Sequence, residues 1–221
     1  GVAGPEDEAL QVWLDDILDE PPARREAQHS GAQSGAHSGE VGARRAKVAA
    51  IVDLLLEAVL DELYTAYYGI EDLHATRADL AVTESSGATG DGWKYSYHVL
   101  ALPFAVADNN EAREFTARVI ERLPVAVREF IDPDVNKKTQ NFRMAGSAKV
   151  GSGRYKSATP EVAQQFGTAR DLGVADLFVT AASGARVLAR VYTAGADRAA
   201  GPQLRPALAA TDPLVRAALE L

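Results

Sequence analysis

Six cations follow Asp134 in this chain with no carboxylate among them: Lys137, Lys138, Arg143, Lys149, Arg154 and Lys156. Asp132 and Asp134 stand just ahead of this basic stretch. Carboxylates are hard oxygen ligands for a divalent cation, while lysine and arginine supply compact and planar charges suited to phosphate oxygens. A metal-nucleotide site needs that pairing. A second group lies upstream in WKYSYHVLAL, residues 93–102. As a strand, this segment puts Lys94, Ser96 and His98 on one face and Tyr95, Tyr97 and Val99 on the other. A cation, a hydroxyl and an imidazole then stand in a row. Taken alone, each feature has an ordinary reading: a half-exposed strand, a histidine bonded to a backbone carbonyl, a solvated charged rim.

The elements that must position these groups belong to an ordinary globular protein. The 221 residues are 47% hydrophobic and 24% charged, enough for one substantial core or two small ones. Net charge is -8, which argues against a protein whose main task is tight, sequence-independent duplex binding, though not against brief handling of a template strand. With no cysteine, disulfides, thiolate zinc sites and iron-sulfur clusters are excluded, so any metal must be held by Asp, Glu or His. No apolar run is long enough to span a bilayer and no secretory signal pattern opens the chain, so an intracellular protein without membrane attachment is expected. Gly1 at the start and Met144 as the single methionine mark the expectation of a domain taken from something larger.

Along the chain, residues 9–16 (ALQVWLDD) read as a buried strand delivering acids to its C-terminal end, with a helix end as an equal reading from periodicity. Residues 21–42 are rich in Pro, Gly, Ser, Ala and Gln and read as a low-complexity linker, whose His29 and His37 make poor metal ligands. Val48, Ile51, Val52, Leu55, Val59, Leu63 and Tyr67 share one helical stripe, predicting a core helix over 43–68 stopped by Gly69. A strand over 79–85, a glycine-rich turn, the 93–102 strand and a helix over 108–123 follow, the helix capped by Asp108, Asn109 or Asn110. Pro124 breaks that helix or starts another. A strand over 139–145, a glycine loop over 146–153, a helix opened by Thr159-Pro160 and a β-rich run over 185–192 complete a mixed α and β pattern. The expected division is 1–20 for the first strand and its acids, 21–42 for the linker, 43–200 for the rest of the domain and 201–221 for a C-terminal tail or helix.

Two of these segments together resemble a known family. Lys94-Tyr95-Ser96-Tyr97-His98 is similar to the second motif of the archaeo-eukaryotic primase superfamily, a strand of the form Ser-x-His with a lysine two before the serine. Asp132, eleven positions on Arg143 within Asn141-Phe142-Arg143, then Lys149 after Gly146-Ser147-Ala148, resembles its third motif. The likeness is to the branch holding primase-polymerases and the herpesvirus-type primases of large DNA viruses. It covers residues 80–156 closely. Gln140 and Asn136 depart from it, standing where an arginine and an aromatic are common.

The resemblance implies an α+β domain with an RRM-like mixed sheet flanked by helices. It implies metal-dependent nucleotidyl transfer that makes or extends primers on a single-stranded DNA template, within or beside a helicase, at a site of DNA replication such as a viral factory, nucleus or organelle. Asp132 with Asp15 or Asp16 would bind Mg²⁺ or Mn²⁺, while Lys94, Ser96, His98, Arg143 and Lys149 would hold the nucleoside triphosphate. Lys137 and Lys138 would face the template or simply solvent, and Arg154 and Lys156 receive no specific role. The first motif should pair two acids one residue apart, and Asp15-Asp16-Ile17 departs from that. Neighbours on a strand point to opposite faces, so both aspartates can serve one metal only where a bulge or the strand's end intervenes. The alternative is a catalytically degenerate nucleotide- or single-strand-binding module of the same fold.

Overall fold

The computed structural model describes residues 8–17, 34–67, 73–89, 92–136, 143–170, 172–177, 185–188 and 191, with side chains from residue 42 onward except 174 and 175. A six-stranded mixed sheet is flanked by helices, giving a mixed α+β domain. The strands are β1 (Glu8–Ile17), β2 (Leu80–Glu84), β3 (Gly87–Thr89), β4 (Gly92–Val106), β5 (Ile131–Asp132) and β6 (Arg186–Val187). The order is β2-β4-β1-β5, with β3 and β6 also paired to β4. Among the described strands, β6 alone runs parallel to its partner.

The long β4 is the axis of the sheet. Its tyrosines, valine and β-branched neighbours suit a pleated surface, and its alternation gives the two faces different tasks. Tyr95, Tyr97, Val99 and Ala101 join Leu80 and Val82 of β2 in the main core. On the other face Leu100 packs with Ala81 and Leu177, while Ser96 and His98 stand further along. The register against β1 slips between Ala9↔Ala105 and Leu10↔Ala101, where Pro103 interrupts β4. Proline offers no N–H to a ladder, so the slip belongs there, and beyond it Phe104 turns to the main core.

The main core is covered by α1 (Ser34–Ala66) and α2 (Asn109–Arg122). The stripe expected for α1 is buried from Val48 to Tyr67. The helix starts at Ser34, inside the stretch read as linker. Once a buried segment has nucleated a helix, each added residue gains a hydrogen bond without a new nucleation cost, which carries even Gly and Ser along. Residues 21–33, Gly69 and 201–221 lie outside the described residues.

Asp108 caps α2 by accepting from the backbone N–H groups of Asn110 (2.9 Å) and Glu111 (3.0 Å). Leu123 ends α2, and Pro124 opens the short α3 (Val125–Arg128). Arg122 crosses to Glu62 of α1 at 2.6 Å. From the 3-10 turn before β2, Arg77 reaches Asp53 at 2.6 Å, Glu57 at 2.8 Å and the Phe166 carbonyl at 3.1 Å. That one guanidinium joins α1 to the end of α4 (Pro160–Phe166), itself capped by Thr159 as expected. Of the strand expected over 139–145, residues 139–142 lie outside the described residues and 143–145 carry no strand. Gly146 (φ 79°) turns the chain immediately afterwards, with the Ser147 N–H donating to the Met144 carbonyl at 3.0 Å.

Candidate functional site

The second face of the sheet holds a narrow cleft of about 10 Å³, room for roughly one water, lined by Thr83, Ser85, Ser96, Tyr97, His98, Arg143 and Lys156. Strand β4 supplies Ser96 and His98, and β2 supplies Thr83, paired directly with His98. Residues opposite each other in an antiparallel pair emerge side by side. Thr83 and His98 therefore form one floor, and both are buried.

The lid is made by the segment after Arg143. It returns on itself as a small hairpin: the Lys156 N–H donates to the Ser147 carbonyl (2.9 Å), the Gly146 N–H to the Lys156 carbonyl (2.7 Å), and Ala148 bridges Tyr155. Gly151 (φ 78°) sits in the backbone region that the tip requires. The returning arm then joins the sheet edge, since Ser157 and Glu84 exchange two backbone hydrogen bonds of 2.8 Å. Alternation along that arm exposes Tyr155 and drives Lys156 inward to 4% exposure. Its Nζ comes to rest 2.6 Å from His98 Nδ1.

Arg143 completes the cationic wall. It donates to Ser85 Oγ at 3.1 Å and to the Arg154 carbonyl at 3.3 Å. Burial pushes His98 well below the usual histidine range, reinforced by the charges of Lys156 and Arg143. Burial, then Arg143, lowers Lys156 to about 8. The cleft thus holds a neutral imidazole beside two cations at neutral pH. Glu84 does not face it, because its carboxylate accepts from the Tyr97 hydroxyl on the opposite face of the sheet (3.2 Å). Thr83 Oγ1 is buried with no hydrogen-bond partner among the described residues.

A second region lies two strands away. Trp13 of β1 pairs with His98 on one side and with Asp132 of β5 on the other. His98 and Asp132 therefore share a sheet face, two strand spacings or about 9–10 Å apart at the backbone. The Asp132 carboxylate is half-buried, outside the apolar core, and accepts from the Asp134 N–H at 2.8 Å. Asn136 ties the following turn to α2 by donating to Thr116 Oγ1 (2.7 Å) and the Ala112 carbonyl (3.2 Å). Asp15 and Asp16 fall within the register shift between Leu14 and Ile17, the irregularity their adjacency calls for. Asp15 stands two residues along β1 from Trp13, just past the two residues of β1 that pair with β5. Among the described residues no three acids or histidines converge as a ready-made metal cluster.

Of the residues singled out by sequence, Ser96, His98 and Arg143 meet in the cleft. Lys94 lies on the same strand face outside its lining, paired with Gly87 of β3. Lys149 is exposed on the hairpin, and its carbonyl accepts from the Ser152 N–H and hydroxyl. Lys137, Lys138, Asn141 and Phe142 lie outside the described residues. Thr83, Ser85 and Lys156 are the additions. The signal for Lys156 is the alternation Arg154-Tyr155-Lys156 after two glycines, which marks a returning β-arm.

No protein-family model matches the chain. It is similar to the helicase/primase complex protein of African swine fever virus. Against the protein of a Kenyan pig isolate it is 37% identical over 131 residues, covering 59% of this chain and 12% of that protein. Against that of a South African tick isolate from Pretoriuskop it is 40% identical over 119 residues, covering 53% of this chain and 11% of that protein. The relationship is one of distant homology. The chain spans only about an eighth of these relatives' length. No helix among the described residues is long and apolar enough to cross a membrane.

Proposed function

We propose that this domain binds a nucleoside triphosphate in the cleft between β4 and the 143–157 hairpin and transfers its nucleotidyl group to a primer end on single-stranded DNA. The observation that carries the reading is the convergence of buried His98 and Lys156 with part-buried Arg143 on one face of the sheet. Concentrating cations is costly unless an anion occupies the space between them. Thr83 Oγ1, buried without a partner among the described residues, is a further hydroxyl for a ligand oxygen. Among the anions that fit, a polyphosphate has the oxygens to meet a planar guanidinium, an ammonium and an imidazole N–H together.

The acids of β1 and β5 suit a divalent cation. Asp132 is half-buried at the sheet edge, Asp15 and Asp16 sit where β1 leaves regular alternation, and all three are hard oxygen donors. Held there, Mg²⁺ or Mn²⁺ would lower the pKa of an attacking 3′-hydroxyl and offset charge developing at the α-phosphate. The chain's own residues do the rest. Arg143, fixed by Ser85, holds phosphate oxygens in a planar fork. His98 donates one hydrogen bond without carrying charge, and Lys156 supplies a compact charge in a dry setting where it is strong.

The likeness to a viral helicase/primase complex protein supports the primase reading within an RRM-like primase-polymerase fold. It also supports a helicase as the fused or associated partner. Lys94 and Lys149 act at the cleft's mouth, and Lys137 and Lys138 meet the template. The test is incubation of the chain with single-stranded template, Mn²⁺ and labelled nucleotides. Template-dependent extension in the wild type, lost in Asp132→Ala and His98→Ala, is the expected result. A second reading has an observation in its favour: Asp15-Asp16 lacks the spacing of the usual acidic pair. A binding module of the same fold would retain nucleotide and show no extension.

A further inference from the structure

We propose that Lys156 is the positioning residue of the cleft: its ammonium, 2.6 Å from His98 Nδ1, holds the imidazole as the Nε2–H tautomer, so that His98 presents a neutral donor to an anionic ligand. This inference rests on the cleft being a triphosphate seat, but its first test does not.

An ammonium has three donors and no acceptor, so a ring nitrogen 2.6 Å away from it can only accept. The ring proton is thereby assigned to Nε2. Burial first, and then the charges of Lys156 and Arg143, hold His98 well below the ordinary histidine range, since protonating Nδ1 would also set two cations against each other. Among the described side chains, the charged groups that shift His98 are Lys156 and Arg143 from the hairpin side. From β2, Thr83 and Ser85 contribute hydroxyls, while Glu84 serves Tyr97 on the other face.

Two consequences separate this arrangement from an ordinary phosphate-binding histidine. An ordinary one gains charge as pH falls through 6.5; here burial and the neighbouring cations keep His98 a neutral donor to lower pH than that. Above about pH 8 Lys156 loses its proton, its lone pair becomes an acceptor, and the ring is free to take either tautomer.

The experiment is a long-range ¹H–¹⁵N correlation spectrum of the 15N-labelled chain, whose four histidines make assignment tractable. It is run at pH 7 and pH 9.5 on wild type, Lys156→Met and Lys156→Arg, alongside titration with inorganic tripolyphosphate. Wild-type His98 is expected as the Nε2–H tautomer at pH 7 and as a mixture at pH 9.5. Lys156→Met should show the mixture already at pH 7 and bind tripolyphosphate about tenfold more weakly or worse, with Lys156→Arg restoring the tautomer. An Nδ1–H tautomer in the wild type, or an unchanged tautomer in Lys156→Met, overturns the proposal. If Lys156→Met does not fold, the wild-type spectra at the two pH values decide the matter alone. Failure of the wild type to bind tripolyphosphate would instead remove the triphosphate reading and leave the tautomer result standing.

Discussion

His98 and Lys156 share a hydrogen bond in a site that water barely reaches, and the fold carries a cost for it. Lys156 falls from 10.5 to about 8, which corresponds to roughly 3 kcal/mol of destabilisation while the amine is charged in the folded state. The sign follows from linkage. Folded Lys156 releases its proton near pH 8 and unfolded lysine near 10.5, so between those values the unfolded chain binds more protons and stability rises with pH. Urea unfolding should therefore find Lys156→Met more stable than wild type by about 1–3 kcal/mol at pH 7, with the gap closing toward pH 10. A gap that stays constant from pH 7.5 to 10 would contradict the burial of a charged Lys156. Arg143→Ala should weaken triphosphate binding by about ten- to a hundredfold, the span set by charge-assisted hydrogen bonds, with little change in melting temperature. Isothermal titration reads the first quantity and calorimetric scanning the second.

The elements explain why these residues meet and why the sequence made only part of the meeting legible. Ser96 and His98 could be read as neighbours because a strand has a strict period of two, and β4 keeps it through that stretch. Asp108 as a cap and Thr159-Pro160 as a helix start were equally local signals. Lys156 was legible only as one position on a returning β-arm, because its place beside His98 depends on that arm pairing with β2, a contact between residues far apart in the chain. Spacing from Arg143 pointed to Lys149, which lies on the exposed part of the same hairpin. The seat of that hairpin offers a test. A Cβ at Gly87 would lie 2.8 Å from Arg154 Cγ, and the Arg154 carbonyl accepts from Arg143. Gly87→Ala should shift the arm and weaken tripolyphosphate binding by about three- to tenfold, since one charge-assisted contact is loosened rather than removed. Unchanged affinity would show that the arm tolerates displacement. On the opposite side of the sheet, Leu55→Ala in α1 should cost about 2–5 kcal/mol in urea unfolding while leaving ligand affinity intact.

At the scale of the whole molecule, a net charge of -8 surrounds a small cationic cleft, so on the proposed function the cleft would serve the nucleotide more than the template. The main core with α1 and α2 lies on the other face of the sheet from the cleft, so the sheet separates the bulk of the packing from the polar site. Fold class could be read from sequence because alternating helical and β patterns are redundant over many residues. The strand order could not, since β1 and β5 lie beside each other through pairings that no local pattern encodes. With so few cations positioned for nucleic acid, single-stranded DNA binding by this chain should be weak and should depend on salt with a slope of about 2–3 counterions. Fluorescence anisotropy across 50–300 mM salt measures that slope. A much steeper one would place the template grip on this domain rather than on an associated helicase.

The most direct measurement is equilibrium binding of a nucleoside triphosphate at pH 7 with and without Mn²⁺, on wild type, His98→Ala, Arg143→Ala and Asp132→Ala. The account predicts Mn²⁺-strengthened binding in the wild type, loss of the strengthening alone in Asp132→Ala, and loss of most affinity in the two cleft variants. Equal binding by wild type and both cleft variants would contradict it.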